Sequence, residues 1–204
     1  RIKMTALQIA DIIGIISFAL SGFLIAVHYK FDILGIFISS FLTALGGGMI
    51  RDVIANKAPY VLNDNLPIIL VSSTLFLSLL FKIHKKTDLE GKTIFIISDA
   101  IGLVSFAITG ALIGIQEGFN ILGVLMLAFL TAVGGGTIRD ILINKVPSIL
   151  VSEFYGTVAI IVGIITYFLH LINQSSILNL TIIFICGVTL RLLAFYKKWQ
   201  LPKL

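Results

Sequence analysis

Two short motifs place charged side chains in an otherwise apolar chain. The sequences GGGMIRD and GGGTIRD begin 88 residues apart, at positions 46 and 134, and each closes a long apolar run. A guanidinium or carboxylate within a lipid-embedded helix is costly unless it is paired or hydrated, and such residues usually serve a function. The candidates for gating or charge pairing are therefore the charged residues of the two motifs: Arg51, Asp52, Arg139 and Asp140.

The glycine triplets of these motifs, Gly46–Gly48 and Gly134–Gly136, are poor helix material. Glycine costs about 1 kcal/mol relative to alanine in a helix interior, so three in a row predict a break or kink. A broken helix in lipid is tolerated where its free carbonyl groups line a cavity, and its carbonyl end attracts a cation. We expect nearby hydroxyl groups to join the glycines along a path for ions: Ser17, Thr43, Ser105 and Thr131.

The triplets also have a second interpretation. Glycines in membrane helices allow two helices to pack closely, with no ion involved. A phosphate-binding loop is excluded, because neither triplet is followed by Gly-Lys-Ser/Thr and neither follows a strand. From the sequence, an ion path and close helix packing both stay open.

The composition is that of an all-α integral membrane protein. Of 204 residues, 58% are apolar and 12% are charged, and the mean hydropathy is +1.09. A helix needs roughly 20 apolar residues to cross a bilayer. We predict seven transmembrane helices, at Ala6–Val27, Ile33–Ala55, Leu66–Phe81, Ile94–Ile115, Ile121–Ile143, Ile149–Leu169 and Ile177–Tyr196.

An internal repeat organises these segments. Residues 11–59 align without gaps on residues 99–147, and 26 of the 49 positions are identical. Each copy holds three spans, an odd number, so the second copy must be inverted in the membrane. We predict a first repeat at 1–81, a cytoplasmic linker at 82–93, an inverted repeat at 94–170, and a seventh helix with a tail at 171–204. The match of PIILVS to PSILVS at an offset of 80 predicts about eight extra residues in the first copy.

The distribution of basic residues predicts the orientation. With alternate loops on opposite sides, four Lys or Arg lie on the side of the N-terminus and eleven on the other side. The positive-inside rule then places the N-terminus outside and the C-terminus in the cytoplasm, in the cell inner (plasma) membrane. Topology explains the net charge of +5, so nucleic-acid binding is excluded as the reason for it. The single cysteine excludes an internal disulfide, and no arrangement of residues indicates an enzyme, a structural metal or a cofactor.

Each motif arginine has a candidate partner in the preceding segment. Asp11 and Arg51 both lie about one turn from the outer ends of their spans, and Asp99 and Arg139 hold the equivalent inner positions. We therefore predict ion pairs Asp11–Arg51 and Asp99–Arg139, one gating each end of a central path. The aspartates that directly follow the arginines are weaker candidates, since side chains at i and i+1 diverge on a helix. Alternatively, each arginine extends to the lipid headgroups.

These features resemble the bacterial branch of the trimeric intracellular cation (TRIC) channels, small membrane proteins with two glycine-rich repeats. The resemblance covers essentially the whole chain and is carried by the paired Gly-Gly-Gly-x-x-Arg-Asp motif. It implies a homotrimer with a pore in each protomer, shaped by the second and fifth helices bent at their triplets. It further implies permeation by K⁺ and Na⁺. In the animal branch a basic residue after the second-span motif affects function and lipid binding, and Arg51 stands at that position here.

Two functions follow from these patterns. The first is a potassium-permeable monovalent cation channel, in which hydroxyl and helix-end carbonyl oxygens replace part of the ion's hydration shell. The second is a small-solute secondary transporter, with glycine as a candidate solute, because members of the same family are linked to glycine uptake and an inverted repeat also suits alternating access.

Overall fold

The computed structural model describes residues 5–83, 88–151 and 154–199, and every regular element among them is a helix. Seven helices are long: α1 (Ala6–His28), α2 (Ile33–Ile54), α4 (Leu66–Leu80), α5 (Asp88–Gln116), α6 (Ile121–Leu142), α8 (Tyr155–Leu171) and α9 (Ile177–Tyr196). Two short helices, α3 (Tyr60–Asn63) and α7 (Ser148–Val151), precede α4 and α8.

Five of the described helices, α1, α2, α5, α6 and α9, are long and apolar enough to cross a membrane. The other two long helices are apolar but shorter, with 15 residues in α4 and 17 in α8. At 1.5 Å per residue they extend about 22 and 26 Å, somewhat less than the hydrocarbon thickness of a bilayer. The chain is therefore a helical membrane protein.

The predicted linker is partly helical. Helix α5 begins at Asp88, six residues before the predicted start of the span at Ile94. The stretch Asp-Leu-Glu-Gly-Lys contains good helix formers, so the helix extends beyond its apolar part into charged sequence. Of the predicted linker at 82–93, residues 84–87 lie outside the described part of the chain.

Equivalent residues begin and end equivalent helices in the two repeats. The side chain of Asp32 accepts a hydrogen bond from Gly35 N at 2.7 Å at the start of α2, and Asn120 accepts one from Gly123 N at 2.9 Å at the start of α6. After α2 and α6, Asn56 and Asn144 both adopt φ of 55°. Asparagine tolerates this left-handed conformation better than most residues, so the chain turns at equivalent points in the two repeats.

The repeat keeps its 88-residue register through the third long helix, so the predicted eight-residue insertion is wrong. Each of the five buried positions of α4 has a buried equivalent 88 residues later in α8: Pro67/Tyr155, Val71/Ala159, Thr74/Val162, Leu75/Gly163 and Ser78/Thr166. The match of PIILVS to PSILVS came from two apolar segments of similar composition, and burial of one helix face decides the true register.

Both glycine triplets lie inside uninterrupted helices, so the predicted break is absent from α2 and α6. The two helices cross at the triplets. A Cβ atom on Gly47 would clash with the carbonyl oxygen of Thr131, and one on Gly135 would clash with the carbonyl oxygen of Thr43. Close packing of α2 against α6, the second interpretation of the triplets, therefore explains the middle glycine of each triplet.

The outer two glycines of each triplet make room for side chains. A Cβ on Gly46 would clash with Ile138, and one on Gly134 would meet Ile50, which is the equivalent residue of the other repeat. The third glycines lie near their own arginines: the nearest atom to a Cβ on Gly48 is Arg51 Nη2, at 3.8 Å. A Cβ on Gly136 would lie 3.7 Å from Arg139 Nη2, but the Tyr155 hydroxyl is closer, at 2.7 Å. Each triplet thus accommodates an isoleucine and a backbone at its first two positions, and a guanidinium lies near the third.

Two phenylalanines occupy the centre of the core. Phe18 of α1 and Phe106 of α5 are equivalent in the repeat, are both essentially fully buried, and meet edge to face with ring centroids 5.3 Å apart. The ring of Phe106 lies against Gly14, and the ring of Phe18 lies against Gly102. The long helix α9 packs against α5 and α8 and has no equivalent in the first repeat.

The crossing of α2 and α6 predicts that Gly47→Ala destabilises the protein. The added methyl group must displace a backbone carbonyl, and overpacking of this kind costs about 1–3 kcal/mol. Thermal unfolding of purified protein in detergent, followed by circular dichroism, should show a lower midpoint. Gly48→Ala is the matched control, since its Cβ has no neighbour closer than 3.8 Å. Equal midpoints for the two variants would contradict the packing role.

Candidate functional site

Both predicted arginine–aspartate pairs are formed and buried. Arg51 Nη1 lies 2.7 Å from Asp11 Oδ1, and Arg139 Nη1 lies 2.5 Å from Asp99 Oδ1. The exposed fractions of the two arginines are 3% and 1%, which rules out an extended conformation reaching the headgroups. Pairing of this kind is what makes a guanidinium tolerable in an apolar environment.

The adjacent aspartates also bind the arginines, contrary to the expectation from helix geometry. Asp52 Oδ1 lies 2.9 Å from Arg51 Nε, and Asp140 Oδ1 lies 2.9 Å from Arg139 Nη2. The arginine side chain is long enough to fold back toward its sequence neighbour, so divergence of the Cβ atoms does not prevent contact. Each guanidinium therefore contacts two carboxylates.

The second oxygen of each of these aspartates fixes the following short helix. Asp52 Oδ2 accepts a hydrogen bond from the backbone N–H of Tyr60 at 2.9 Å. Asp140 Oδ2 accepts one from the backbone N–H of Ser148 at 2.7 Å. The starts of α3 and α7 are thus tied directly to the charged motifs.

Each arginine also bonds to the other repeat. Arg51 Nη1 donates to Thr109 Oγ1 on α5 at 3.1 Å, and Arg139 Nη1 donates to Ser21 Oγ on α1 at 2.6 Å. Because Arg51 contacts the beginning of α1 and the end of α5, the two helices run in opposite directions, as an inverted repeat requires. Ser21 and Thr109 are equivalent hydroxyl residues, and this equivalence was the signal in the sequence that could have identified them.

The hydroxyl groups predicted to line a path have different environments. Thr43 and Thr131 are fully buried and donate to the carbonyl groups of Ser39 and Leu127, both at 2.6 Å, within their own helices. Ser17 is buried with an exposed fraction of 9%. Ser105 is fully buried, and its Oγ is the one buried side-chain polar atom without a hydrogen-bond partner among the described residues. A role of these residues in ion binding stays a prediction.

A cavity of about 530 Å³ lies over the first ion pair. It lies between α1, α2, α3 and the start of α4, and its wall includes Asp11, Arg51, Asp52, Tyr60, Asp64 and Leu70. A smaller cavity of about 20 Å³, enough for one water molecule, continues past Gly48 and Ala44 to Phe106. Arg51 and Asp11 line both cavities, so the pair borders each of them.

Lysines after the two motifs join the repeats at their surfaces. Lys57 Nζ lies 2.6 Å from Glu117 Oε1, at the end of the molecule that carries the larger cavity. The equivalent Lys145 lies over the ring of Tyr29, 5.2 Å from its centroid. Both are contacts between one repeat and the other, but only the first is an ion pair.

The fold and the site define a polytopic membrane protein built from an inverted repeat, with one buried arginine–carboxylate cluster toward each end. The chain belongs to the UPF0126 membrane protein family, the bacterial TRIC family, whose family model is described as a glycine transporter and matches residues 8–84 and 96–171. The two matched stretches begin 88 residues apart (96 − 8), in the register of the helices.

Relatives match along almost the whole chain. The UPF0126 membrane protein YvgT of Bacillus subtilis is 36% identical over 203 residues, covering 97% of this chain and 96% of the relative. The crystal structure of a prokaryotic TRIC channel in 0.5 M KCl has a TM-score of 0.86 and 32% identity, covering 96% of this chain and 98% of that one. The TRIC orthologue from Rhodobacter sphaeroides has a TM-score of 0.85 and 26% identity, covering 95% and 99%.

The buried ion pairs predict strong energetic coupling in a double-mutant cycle on Asp11→Asn and Arg51→Gln. Arg51→Gln leaves Asp11 and Asp52 buried without their cation and should lower the free energy of unfolding by about 3 kcal/mol. Asp11→Asn removes one of the two carboxylates of Arg51 and should lower it less, and the double variant should lose less than the sum of the two. The measurement is equilibrium unfolding in detergent. The control cycle, Lys57→Ala with Glu117→Ala, breaks a partly exposed pair and should show coupling of about 1 kcal/mol or less. Equal coupling in the two cycles would contradict the special role of the buried pair.

Proposed function

We propose that the chain is a monovalent cation channel, permeable to K⁺ and Na⁺, with one conduction path inside each protomer of a homotrimer. The observation that carries the proposal is the pair of buried ion clusters on one inverted-repeat frame, the first of which is reached through a cavity of about 530 Å³. The likeness to solved TRIC cation channels supports it. All seven long helices then span the membrane, with the N-terminus outside and the C-terminus in the cytoplasm.

The proposed path begins in the larger cavity and passes the Asp11–Arg51 pair. It continues through the smaller cavity beside Gly48 to the aromatic contact of Phe18 with Phe106. The two rings close the centre of the protein in this state, since they are essentially fully buried. The unpartnered hydroxyl of Ser105 offers an oxygen to a permeating ion or to water beyond this point.

Opening requires the repeats to move relative to each other. The hydrogen bonds from Arg51 to Thr109 and from Arg139 to Ser21 cross between repeats, so they must lengthen when a path opens. We propose that α2 and α6 bend at their glycine triplets during this movement, because glycine accepts backbone angles that other residues do not. The positive arginines leave the path with their carboxylates, which keeps the path favourable for cations.

A second candidate function is the uptake of a small solute such as glycine. The description of the family model favours it, and so does a guanidinium in the wall of a cavity large enough for a small carboxylate-bearing molecule. Both functions are transport functions without an enzymatic step or a cofactor. In both, lipids contact the apolar residues exposed on the outer helix faces, such as Ile33, Phe76 and Leu178.

The channel proposal predicts unitary currents from purified protein in a planar bilayer with a KCl gradient. The currents should reverse near the K⁺ equilibrium potential. Asp11→Asn should reduce the conductance about tenfold, because Arg51 loses one of its two carboxylates and the lost negative charge adds about 1.4 kcal/mol to the barrier for a cation. Asp64→Asn is the control, since Asp64 lines the same cavity but bonds to Leu66 N and the Tyr60 hydroxyl at an exposed position.

Proteoliposomes separate the two functions. A channel should carry no saturable glycine flux, and a transporter should carry saturable glycine uptake without single-channel steps. A bilayer that stays silent at all voltages while glycine uptake persists would replace the channel proposal by the transporter.

A further inference from the structure

The two ion clusters have the same polar partners but different apolar surroundings. At the first cluster, the residues bordering the cavities include Leu7 and Pro67. The equivalent positions at the second cluster, 88 residues later, are Phe95 and Tyr155. Two aromatic rings thus replace a leucine and a proline at one end of an otherwise symmetric arrangement.

Both rings lie against the second cluster, one on its arginine and the other on its aspartate. The Phe95 ring centroid lies 4.8 Å from Arg139 Cζ, a cation–π distance. The Tyr155 hydroxyl donates to Asp99 Oδ1 at 3.3 Å, and the exposed fraction of Tyr155 is 2%. The guanidinium and its carboxylate are therefore enclosed by aromatic side chains as well as by their polar partners.

The space in front of the third glycine also differs between the two clusters. A Cβ on Gly136 would lie 2.7 Å from the Tyr155 hydroxyl, so the ring fills the space in front of this glycine. In front of Gly48 the nearest atom is Arg51 Nη2 at 3.8 Å, and the smaller cavity reaches this glycine. Equivalent backbone positions are thus open at one cluster and filled at the other.

Helix α9 contacts the ring of Tyr155 through Arg191. Arg191 on α9 is buried, and its Cζ lies 4.8 Å from the centroid of the Tyr155 ring. Because α9 has no equivalent in the first repeat, position 67 has no such support. The asymmetry of the two clusters follows from two residue differences and one additional helix.

We propose that Phe95 and Tyr155 form an aromatic lid that seals the Asp99–Arg139 cluster, braced by Arg191, while the Asp11–Arg51 cluster is open to small polar molecules. The lid makes the second cluster the gate of the path. Its role in conduction rests on the proposed function, but the seal itself is a property of the fold and can be measured without any transport assay.

Two equivalent positions one turn from the aspartates report on the seal. Ile15 follows Asp11 by four residues and lines both cavities. Leu103 follows Asp99 by four residues and is fully buried. Cysteines placed at these two positions compare access to the two clusters in equivalent surroundings.

The experiment measures the reaction of Ile15→Cys and Leu103→Cys with a small charged methanethiosulfonate in purified, detergent-solubilised protein. The exposed native cysteine on α9 is removed first by Cys186→Ser. Ile15→Cys should react readily and Leu103→Cys at least about tenfold more slowly, since a thiol must be reached by the reagent to react. Adding Tyr155→Ala to Leu103→Cys should recover most of that difference.

Val158→Ala, also added to Leu103→Cys, controls for general loosening, because Val158 lies on the same helix and is fully buried. It should leave the slow rate unchanged. Equal rates for Ile15→Cys and Leu103→Cys, or equal acceleration by Tyr155→Ala and Val158→Ala, would overturn the lid.

Bilayer recordings of Tyr155→Ala, expected to show a higher open probability, test the role of the lid as a gate. Silent bilayers with the predicted thiol rates would refute the channel and leave the lid standing.

Discussion

The neutralisation of two arginines inside an apolar protein is the constraint on which the rest of the structure depends. A guanidinium has five N–H groups, and leaving them unpaired in a low-dielectric interior costs several kcal/mol. Arg51 obtains a carboxylate from α1, another from its own helix and a hydroxyl from the opposite repeat. Satisfying it therefore fixes the relative positions of α1, α2 and α5, and the aspartate beside it also fixes the start of α3.

The glycine triplets make this arrangement geometrically feasible. The arginines reach the other repeat only if α2 and α6 approach to backbone contact, and the middle glycines permit that approach. A residue as small as alanine would separate the helices at their crossing. The middle glycines therefore serve close packing, the second of the two interpretations drawn from the sequence, while the predicted break is absent from both helices.

The sequence predicted the inverted repeat and one carboxylate partner for each arginine, because identical residues at a constant offset and an odd number of spans leave little choice. It failed where contacts depend on side-chain path or on burial. The pairing of Arg51 with Asp52 needs an arginine that folds back, which helix spacing does not describe. The predicted register of α4 relative to α8 was wrong because two apolar segments of similar composition were matched. The predicted break in α2 was wrong because packing against α6 outweighs the low helix propensity of glycine. The lid residues were invisible because each is an ordinary aromatic residue in an apolar segment.

The hydrogen bonds exchanged between Arg51 and Thr109 and between Arg139 and Ser21 have a consequence for the origin of the protein. Neither half completes its own arginine, so the smallest unit in which both arginines have all these partners contains two copies in opposite orientations. An ancestral gene that encoded one copy would have needed a product inserted in both directions, forming an antiparallel dimer. Fusion of two such genes would fix one orientation for each half. Residues at equivalent positions would then be free to differ, as Pro67 and Tyr155 do.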